Sequence, residues 1–423
     1  MHRAPLFVLT GSGIGLSAAC WGLARVPNLA LAPRAFLVLF GLAFLAYGCG
    51  ALAAFHLRGR RVVVVILAAG VVTRLILLLT SPSLSTDAYR YVWDARVARA
   101  RLDPYAYPPA APEVAGLRDS SIYPKLNHVT WQTVYPPPAQ AFFRLVYWIA
   151  PDSVTAMKLG LGVAELLALG ALVLLLLTLD LPAGRLAIYA WNPLLLVEIW
   201  GSGHLDALVL ATVTAAALAS ARRRDGLAAV LLGLGTLVKL YPAVLFLLLP
   251  GRWRMSVVTA FASTVAAGVF VTGGLDHWPF EPIGRYVREE YFNPGLVRSF
   301  VNEPVLALGV TAAWVIAIAW RGGAAHLAAR AAPLVAGFVV LAPSVFPWYA
   351  VWLVPLLAVT PSVPLIAFTG TVAFSYAFFL SQPWAIPWWA RFVEVAPLGF
   401  AAARELRAFS GEAYRASART RAE

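Results

Sequence analysis

Residues 62–80 read VVVVILAAGVVTRLILLLT, and this apolar run ends in the polar, aromatic-rich stretch SPSLSTDAYRYVWDARVARARLDPYAYPP at 81–109. A helix needs about 20 apolar residues to cross a hydrocarbon core of about 30 Å. The first stretch therefore predicts a membrane-spanning helix, and the second begins a loop outside the hydrocarbon. This loop extends to residue 138, and its last part reads NHVTWQTVYPPP at 127–138.

The composition of the whole chain is that of a membrane protein. Of its 423 residues, 61% are hydrophobic and only 13% are charged, which leaves too little polar material to cover a soluble globule of this size. Because apolar runs recur along the sequence, we predict an all-α polytopic helical bundle of about 12 transmembrane helices, as one domain over 1–423. The predicted spans are 6–24, 35–56, 62–80, 156–179, 186–201, 205–221, 255–272, 303–320, 328–346, 347–360, 365–380 and 389–403.

The distribution of arginine predicts the topology. The net charge is +13, but the basic residues are scattered at span ends without a basic stripe, so membrane lipid is a predicted partner and nucleic acid is not. The positive-inside bias places several basic clusters in the cytoplasm. They are 58–61, 222–224, 252–254, Arg321 and a basic tail at 404–423. The 81–138 loop and a second loop at 273–302 then lie on the external side.

Segment 227–250 does not fit a simple alternation of spans. It lies between two clusters that are both predicted to be cytoplasmic, yet at about 1.5 Å per residue it is too short to cross a membrane twice. Its centre reads TLVKLYP at 236–242, where Lys239 interrupts the apolar sequence and Pro242 is able to break a helix. The segment is either re-entrant, with irregular backbone lining a cavity, or one full span with a misplaced basic loop.

Several ionisable residues lie in or at the ends of apolar runs, where each costs about 2.5–3.5 kcal/mol unless it is paired or hydrated. They are Arg74, Lys158, Glu165, Glu198, His204, Asp206 and Lys239. We interpret the first four as structural: Arg74 pairs with Glu165 or Glu198 between helices, and Lys158 lies at an interface. We expect the last three to face a polar cavity on the side of the long loop.

The long loop also holds a candidate catalytic carboxylate. Asp87 follows the third span, and at that height it is able to accept the proton of a hydroxyl that attacks a sugar, which is general base catalysis. Asp94 lies about two helical turns further on, where it either adds a second carboxylate or pairs with Arg90 or Arg96. Aromatic side chains of this loop suit sugar stacking or interfacial anchoring. They are Tyr89, Tyr91, Trp93, Tyr105, Tyr107, Trp131 and Tyr135.

Six motifs follow one another between residues 62 and 360. They are TDAYRYVWDARV at 86–97, DPYAYPP at 103–109, TVYPPPAQ at 133–140, YAWNPLLLVEIWGSGHLDAL at 189–208, LVKLYPAVLF at 237–246 and PSVFPWYAVWLVPLL at 343–357. In this order they resemble bacterial GT-C superfamily glycosyltransferases, and in particular the polyprenyl-phosphate-mannose-dependent mannosyltransferases. The sequence departs from that pattern at DAR, where DGR is expected, and at PWY, where many relatives have a His, so the partner of Asp87 stays open.

The resemblance implies a GT-C fold and transfer of a hexose, by default mannose, from a polyprenyl-phosphate sugar to a glycan or glycolipid acceptor. We expect an inverting transfer without metal or other cofactor, with Asp87 as base and with Lys239 and Arg90 stabilising the phosphate charge. No DxD pair is present, and His204 with Asp206 offers too few ligands for a metal. The expected substrate-binding residues are Tyr89, Arg90, Trp93, Asp94, Tyr135, His204, Asp206, Lys239, Tyr241, Trp348 and Tyr349.

The predicted location is the bacterial inner membrane, crossed many times, with the active site facing the periplasm. The alternative function is a secondary transporter or a flippase for lipid or lipid-linked sugar, because ionisable residues within many spans are also typical of those proteins. An enzyme requires the 81–138 loop and Lys239 to converge on one external cavity. A transporter requires Lys239 to face a pathway that opens to both sides.

Overall fold

The structure is a computed structural model that describes residues 3–320 and 326–400. Every regular element in these ranges is helical, apart from an isolated bridge between Pro294 and Ser344. The prediction of an all-α fold is therefore confirmed. Arg321 and the predicted basic tail at 404–423 lie outside the described residues.

The α-helices follow in chain order as α1 (Arg3–Ala24), α2 (Pro33–Ala54), α3 (Arg60–Leu78), α4 (Asp87–Arg99), α5 (Pro137–Ile149), α6 (Val154–Thr178), α7 (Leu186–Ala190), α8 (Pro193–Leu195), α9 (Asp206–Ala221), α10 (Asp225–Val238), α11 (Pro242–Phe246), α12 (Met255–Val271), α13 (Phe280–Glu289), α14 (Leu296–Phe300), α15 (Pro304–Trp320), α16 (Ala328–Leu341), α17 (Val354–Val359) and α18 (Val363–Thr371). A π-helical turn covers Leu196–Gly201, and helix also covers 388–400. The 3₁₀ segments are Pro112–Leu117, Tyr123–Lys125, Ala183–Arg185, Leu275–His277, Pro347–Leu353 and Val372–Leu380.

Helices long and apolar enough to cross a membrane occur five times in the described part of the chain, with shorter apolar helices between them. The long ones are Ala4–Ala24, Pro33–Ala54, Arg60–Leu78, Val154–Thr178 and Val363–Leu380. The span predicted at 186–201 is not one continuous α-helix. Asn192 precedes Pro193, a position that disfavours helical backbone, and its side chain accepts hydrogen bonds from the next helix instead. The number of spans stays a prediction.

Two of the predicted cytoplasmic clusters, at 58–61 and 222–224, lie at the same end of the bundle. Arg58 lies before α3 and pairs with Asp180 after α6, with 2.6 Å between Nη1 and Oδ1. Arg222, after α9, donates from Nε to Thr178 Oγ1 at 3.3 Å. Because α3 starts at this end and is about 28 Å long at 1.5 Å per residue, the loop after Leu78 lies at the opposite end.

Segment 225–251 enters the bundle and returns. Helix α10 ends at Val238, and Lys239 has extended backbone, with φ −145° and ψ 140°. The chain then resumes as α11 and reaches Gly251, where an added Cβ would lie only 2.6 Å from Asp225 Oδ2. The two ends of the segment are therefore neighbours. The chain therefore turns back on itself, as the re-entrant alternative requires, and its position in the membrane stays a prediction.

Two buried cations hold the core of the bundle together. Arg74 forms a bidentate pair with Glu165, at 2.9 Å from Nε and 2.7 Å from Nη2, so its partner is Glu165 and not Glu198. Lys158 donates to the carbonyls of Leu77, Leu78 and Thr80. Two of these carbonyls belong to the last turn of α3, where i+4 partners within the helix are missing, and Lys158 thereby fixes the point where the long loop begins.

Candidate active site

The 81–138 loop and Lys239 converge on one cavity of about 1360 Å³, here called the loop cavity. Its wall includes all but two of the residues expected from the sequence to bind substrate or act as base. The residues in the wall are Asp87, Tyr89, Arg90, Tyr135, His204, Asp206, Lys239, Tyr241, Trp348 and Tyr349. The second loop contributes Tyr286 and Glu290, and the segments after α16 and α18 contribute further aromatic residues.

Asp87 is the first residue of α4, and its side chain is 17% exposed to the cavity. The N-terminus of a helix favours a negative charge, because its free N–H groups point toward it. Asn127 donates from Nδ2 to Asp87 Oδ1 at 2.9 Å. The other oxygen, Oδ2, lies 3.7 Å from His204 Nδ1. The carboxylate is thus held in place without a Lys or Arg ion pair among the described residues.

His204 is placed by a tight turn and by stacking. Gly203 has φ +77°, a backbone conformation that favours glycine. An added Cβ would also lie only 2.8 Å from Lys158 Cγ, which is a steric clash. The imidazole stacks on Trp348, with 4.0 Å between ring centroids and 20° between planes. Its Nε2 lies 3.3 Å from Oε2 of Glu198, which is fully buried.

Glu198 is a residue of this site that the sequence reasoning missed, because it was interpreted as a partner of Arg74. Its Oε1 accepts a hydrogen bond from Tyr376 Oη at 2.9 Å. It lies on the π-helical turn Leu196–Gly201, and such turns are frequent at functional sites. The signal in the sequence was its position six residues before His204, in VEIWGSGH at 197–204.

Lys239 forms the second polar centre of the loop cavity. Its ammonium lies 2.9 Å from both oxygens of Asp206, and Trp352 donates from Nε1 to Asp206 Oδ1 at 2.6 Å. The ammonium also lies over the ring of Tyr349, 4.8 Å from its centroid. Trp352 stacks between Tyr349 and Tyr241, at 4.8 and 3.8 Å. Trp352 was not among the expected residues.

Trp93 and Asp94 are the two expected residues that do not line the cavity. Asp94 accepts hydrogen bonds from Arg90 Nε and from Gln140 Nε2, both at 2.8 Å, which matches the alternative in which it pairs with Arg90. Trp93 is buried beneath the loop, where its ring lies 5.5 Å from that of Tyr123. In the structure Asp94 is therefore held by polar contacts and Trp93 by packing, and neither side chain contacts the cavity.

The second loop closes over the first. His128 Nε2 lies 3.2 Å from Glu290 Oε2, and Arg285 lies over the ring of Trp131 at 4.6 Å. Burial alone would raise the pKa of Glu290, but hydrogen bonds from His128 and from the backbone N–H of Phe292 hold that pKa below its usual value of 4.5. The carboxylate therefore favours the closed arrangement in its ionised form.

This contact makes the closure of the two loops sensitive to acid. Because the folded-state pKa of Glu290 is lowered, its stabilising contribution is complete above the usual carboxyl pKa of 4.5 and is lost as the pH falls through the folded value. We expect proteolysis of the second loop to be slow at neutral pH and faster in acid, and Glu290→Gln to be cleaved faster already at neutral pH. Glu289→Gln, which removes only the exposed pair with Arg285, is the control. Wild-type protection of Glu290→Gln at neutral pH would contradict the assignment.

Possible metal ligands do not cluster in the described ranges: nowhere in 3–320 or 326–400 do three His, Cys, Asp or Glu side chains gather as a metal site requires. Asp87 and Glu290 line the cavity without a Lys or Arg ion pair among the described residues. The pairs of Lys239 with Asp206 and of Arg90 with Asp94 lie beside Asp87, and aromatic side chains line the same wall.

Comparison with known proteins identifies one family. Residues 5–254 match the MptA_B family, which is described as Alpha-(1->6)-mannopyranosyltransferase, N-terminal domain. The match covers more than half of the 423 residues and includes Asp87, His204 and Lys239. No curated protein and no solved structure matches the chain. The chain therefore belongs to the alpha-(1->6)-mannopyranosyltransferase family, as a mannosyltransferase embedded in the membrane by its apolar helices.

Proposed function

We propose that this mannosyltransferase moves mannose from a polyprenyl-phosphate donor to a hydroxyl of a glycan or glycolipid acceptor, with inversion at the anomeric carbon. The single observation that carries the proposal is the convergence of Asp87 and Lys239 on the loop cavity. One group is suited to accept a proton, and the other is suited to face a leaving phosphate.

Asp87 is the base in this proposal because the neighbouring aspartates are already neutralised. Asp206 is paired with Lys239, and Asp94 is paired with Arg90. An acceptor hydroxyl that hydrogen-bonds to Asp87 gives its proton to the carboxylate as the oxygen bonds to the anomeric carbon. The bond from that carbon to the phosphate oxygen breaks at the same time, and the phosphate leaves with the electron pair.

The leaving phosphate is stabilised by cations that keep free donors. The ammonium of Lys239 has three N–H groups, and Asp206 is the hydrogen-bond partner described for it. Arg90 uses Nε for Asp94 and Nη2 for the carbonyl of Trp131, which leaves Nη1. Lys125, which the sequence reasoning did not single out, also lines the cavity. Fixed cations in a water-poor site act more strongly on developing charge than cations in bulk water.

The donor lipid reaches the site from the bilayer in this proposal. Exposed apolar side chains line one side of the loop cavity, among them Leu240, Leu308 and Trp384. A polyprenyl chain placed along them would bury apolar surface on both partners. The cavity lies at the end opposite the basic clusters, and in the bacterial inner membrane that end faces the periplasm under the positive-inside bias.

The assay for this function is transfer of radiolabelled mannose in membranes that contain the chain. We expect label to move from polyprenyl-phosphate mannose, and not from GDP-mannose, into a lipid or glycan product. We also propose that the transfer needs no metal or other cofactor, so chelation with EDTA should leave the rate unchanged. Transfer only from the nucleotide sugar would overturn the donor assignment, and loss of transfer on chelation would overturn metal independence.

Replacement of Lys239 tests its role toward the phosphate. Lys239→Met leaves Asp206 buried without its partner, so both folding and transfer suffer, and we expect a rate about 100-fold lower, the effect of losing one charge-stabilising donor. The double variant Lys239→Met with Asp206→Asn removes the unpaired charge. We expect it to recover its abundance in the membrane but not its transfer. Recovery of the wild-type rate in the double variant would mean that Lys239 only neutralises Asp206.

A further inference from the structure

The side chains behind Asp87 form a continuous polar chain that leads away from the cavity. His204 lies between two carboxylates, with Nδ1 3.7 Å from Asp87 and Nε2 3.3 Å from Glu198. Tyr376 then donates to the far oxygen of Glu198 at 2.9 Å. His204 is 1% exposed and Glu198 is fully buried, so these groups are removed from bulk water.

Neither buried atom at the centre of this chain has a well-aligned hydrogen bond. Glu198 Oε2 and His204 Nε2 are both without a hydrogen-bond partner of good geometry among the described residues, although they lie 3.3 Å apart. A buried carboxylate that is left unpaired is costly. In the neutral imidazole one nitrogen is a donor and the other an acceptor. The tautomer with the proton on Nε2 directs its N–H toward Glu198 and leaves Nδ1, which faces Asp87, able to accept a proton.

The imidazole is held where it serves both neighbours. The turn at Gly203 brings position 204 against the start of α4, and the stack on Trp348 fixes the plane of the ring. The distance from Nδ1 to Asp87 exceeds that of a hydrogen bond, and catalytic hydrogen bonds of this kind shorten when substrate is bound. A purely structural histidine needs only one carboxylate partner, whereas this one faces a carboxylate from each of its two nitrogens.

From this geometry we infer that His204 and Glu198 are positioning residues that take the proton away from Asp87. This inference rests on the proposed function. The acceptor hydroxyl gives its proton to Asp87, and the proton then moves from the Asp87 carboxyl to His204 Nδ1. The imidazolium formed is stabilised by the Glu198 carboxylate, which stays ionised. Asp87 is negative again before the product leaves, and the proton returns to water through the same groups after release.

The elements around the ring carry several charged and titratable groups. They are Asp87 and Tyr91 on α4, Lys158 on α6, Glu198 on the π-helical turn, Asp206 with Lys239, Tyr349 on the 3₁₀ segment whose Trp348 stacks on the ring, and Tyr376 on the last 3₁₀ segment. Lys158 is fully engaged with the end of α3 through three carbonyls. Glu198 is therefore the group whose charge acts on the ring from the side away from the cavity.

The test is the pH dependence of the transfer rate at saturating donor. Activity requires His204 to be neutral, so the rate falls on the acid side as the ring gains a proton. In Glu198→Gln the negative charge beside the ring is lost, and protonation of the ring becomes harder. We expect the acid limb, which is the fall of the rate at low pH, to move to lower pH by about one unit. The maximal rate at higher pH should fall about tenfold, and KM should stay unchanged.

Tyr376→Phe is expected to move the acid limb the other way. It removes the hydrogen bond that stabilises the ionised Glu198, so the pair of His204 and Glu198 holds a proton more tightly and the limb moves to higher pH. This variant also decides the matter if Glu198→Gln does not accumulate in the membrane. The matched control is the double variant Glu165→Gln with Arg74→Met, which removes another fully buried carboxylate of the same bundle together with the cation that pairs with it. Its acid limb should coincide with that of the wild type.

Three outcomes separate this inference from the function on which it rests. Opposite shifts in Glu198→Gln and Tyr376→Phe support it. Transfer by the wild type with unmoved acid limbs in both variants overturns the relay and leaves the proposed function intact. Absence of transfer by the wild type overturns both.

Discussion

Asp87→Asn should lower the rate of mannosyl transfer by about 1000-fold, within the range expected for loss of a general base. The substitution keeps the shape of the side chain and an oxygen that accepts from Asn127 Nδ2. It removes the ability to take up a proton. Because the neighbouring aspartates are neutralised by Lys239 and Arg90, we expect neither to replace it. Initial rates with labelled polyprenyl-phosphate mannose, in membranes matched for abundance, give the measurement.

Asp103→Asn is the matched control for this experiment. Asp103 lies in the same loop, is exposed, and accepts a hydrogen bond from the backbone of Tyr105. It does not line the loop cavity. Its substitution should leave the rate at the wild-type level. A wild-type rate in Asp87→Asn would move the base to another residue of the cavity.

Arg74→Met is expected to have the largest effect on stability. The pair of Arg74 and Glu165 is almost completely buried, and removal of one partner leaves an uncompensated charge. Breaking a buried pair in this way costs about 3–5 kcal/mol, which for a marginally stable protein is a large share of the total. We expect the variant to unfold at a clearly lower temperature in detergent and to accumulate poorly in the membrane.

Two further variants test whether Arg74→Met destabilises the protein through the unpaired buried charge or only through the loss of a contact. The double variant Arg74→Met with Glu165→Gln removes the uncompensated charge and should recover most of the stability. Arg58→Met breaks the exposed pair with Asp180, and an exposed pair contributes about 0–1 kcal/mol. Equal melting temperatures for Arg58→Met and Arg74→Met would contradict a structural role for the buried pair.

The helical character of the fold could be predicted because it follows from local apolar runs. The positions of Asp87 and Lys239 could be predicted for a similar reason. Each is an ionisable residue at the end or in the middle of an apolar run, where its cost must be offset by function or pairing. The break at Lys239 was also visible, since Pro242 follows it within three residues.

Other parts of the site depend on contacts that no local pattern encodes. Trp93 and Asp94 were expected at the cavity, but α4 is buried on every side from Ala88 to Val97, so its sequence has no amphipathic pattern to show which face meets the cavity. Glu198 was missed because the π-helical turn changes the register between it and His204. In a regular α-helix residues three and four apart are neighbours, whereas here the side chains meet across an irregular turn.

The contribution of the second half of the chain could not be predicted either. Trp348 and Tyr376 reach His204 and Glu198 from segments far along the sequence. Both lie beyond the residues 5–254 that match the family. Residues of the second loop meet the first loop through a contact of similarly long range, between His128 and Glu290. Such contacts follow from how the helices pack and not from the sequence around each residue.

The most direct test of the central claim is to follow labelled polyprenyl-phosphate mannose in liposomes that contain the purified chain and an acceptor extract. We predict a new mannoside whose anomeric configuration is inverted relative to the donor, formed by the wild type and not by Asp87→Asn. Movement of the intact donor to the other leaflet without a new glycosidic bond would contradict the account, because it would make the loop cavity a transport pathway.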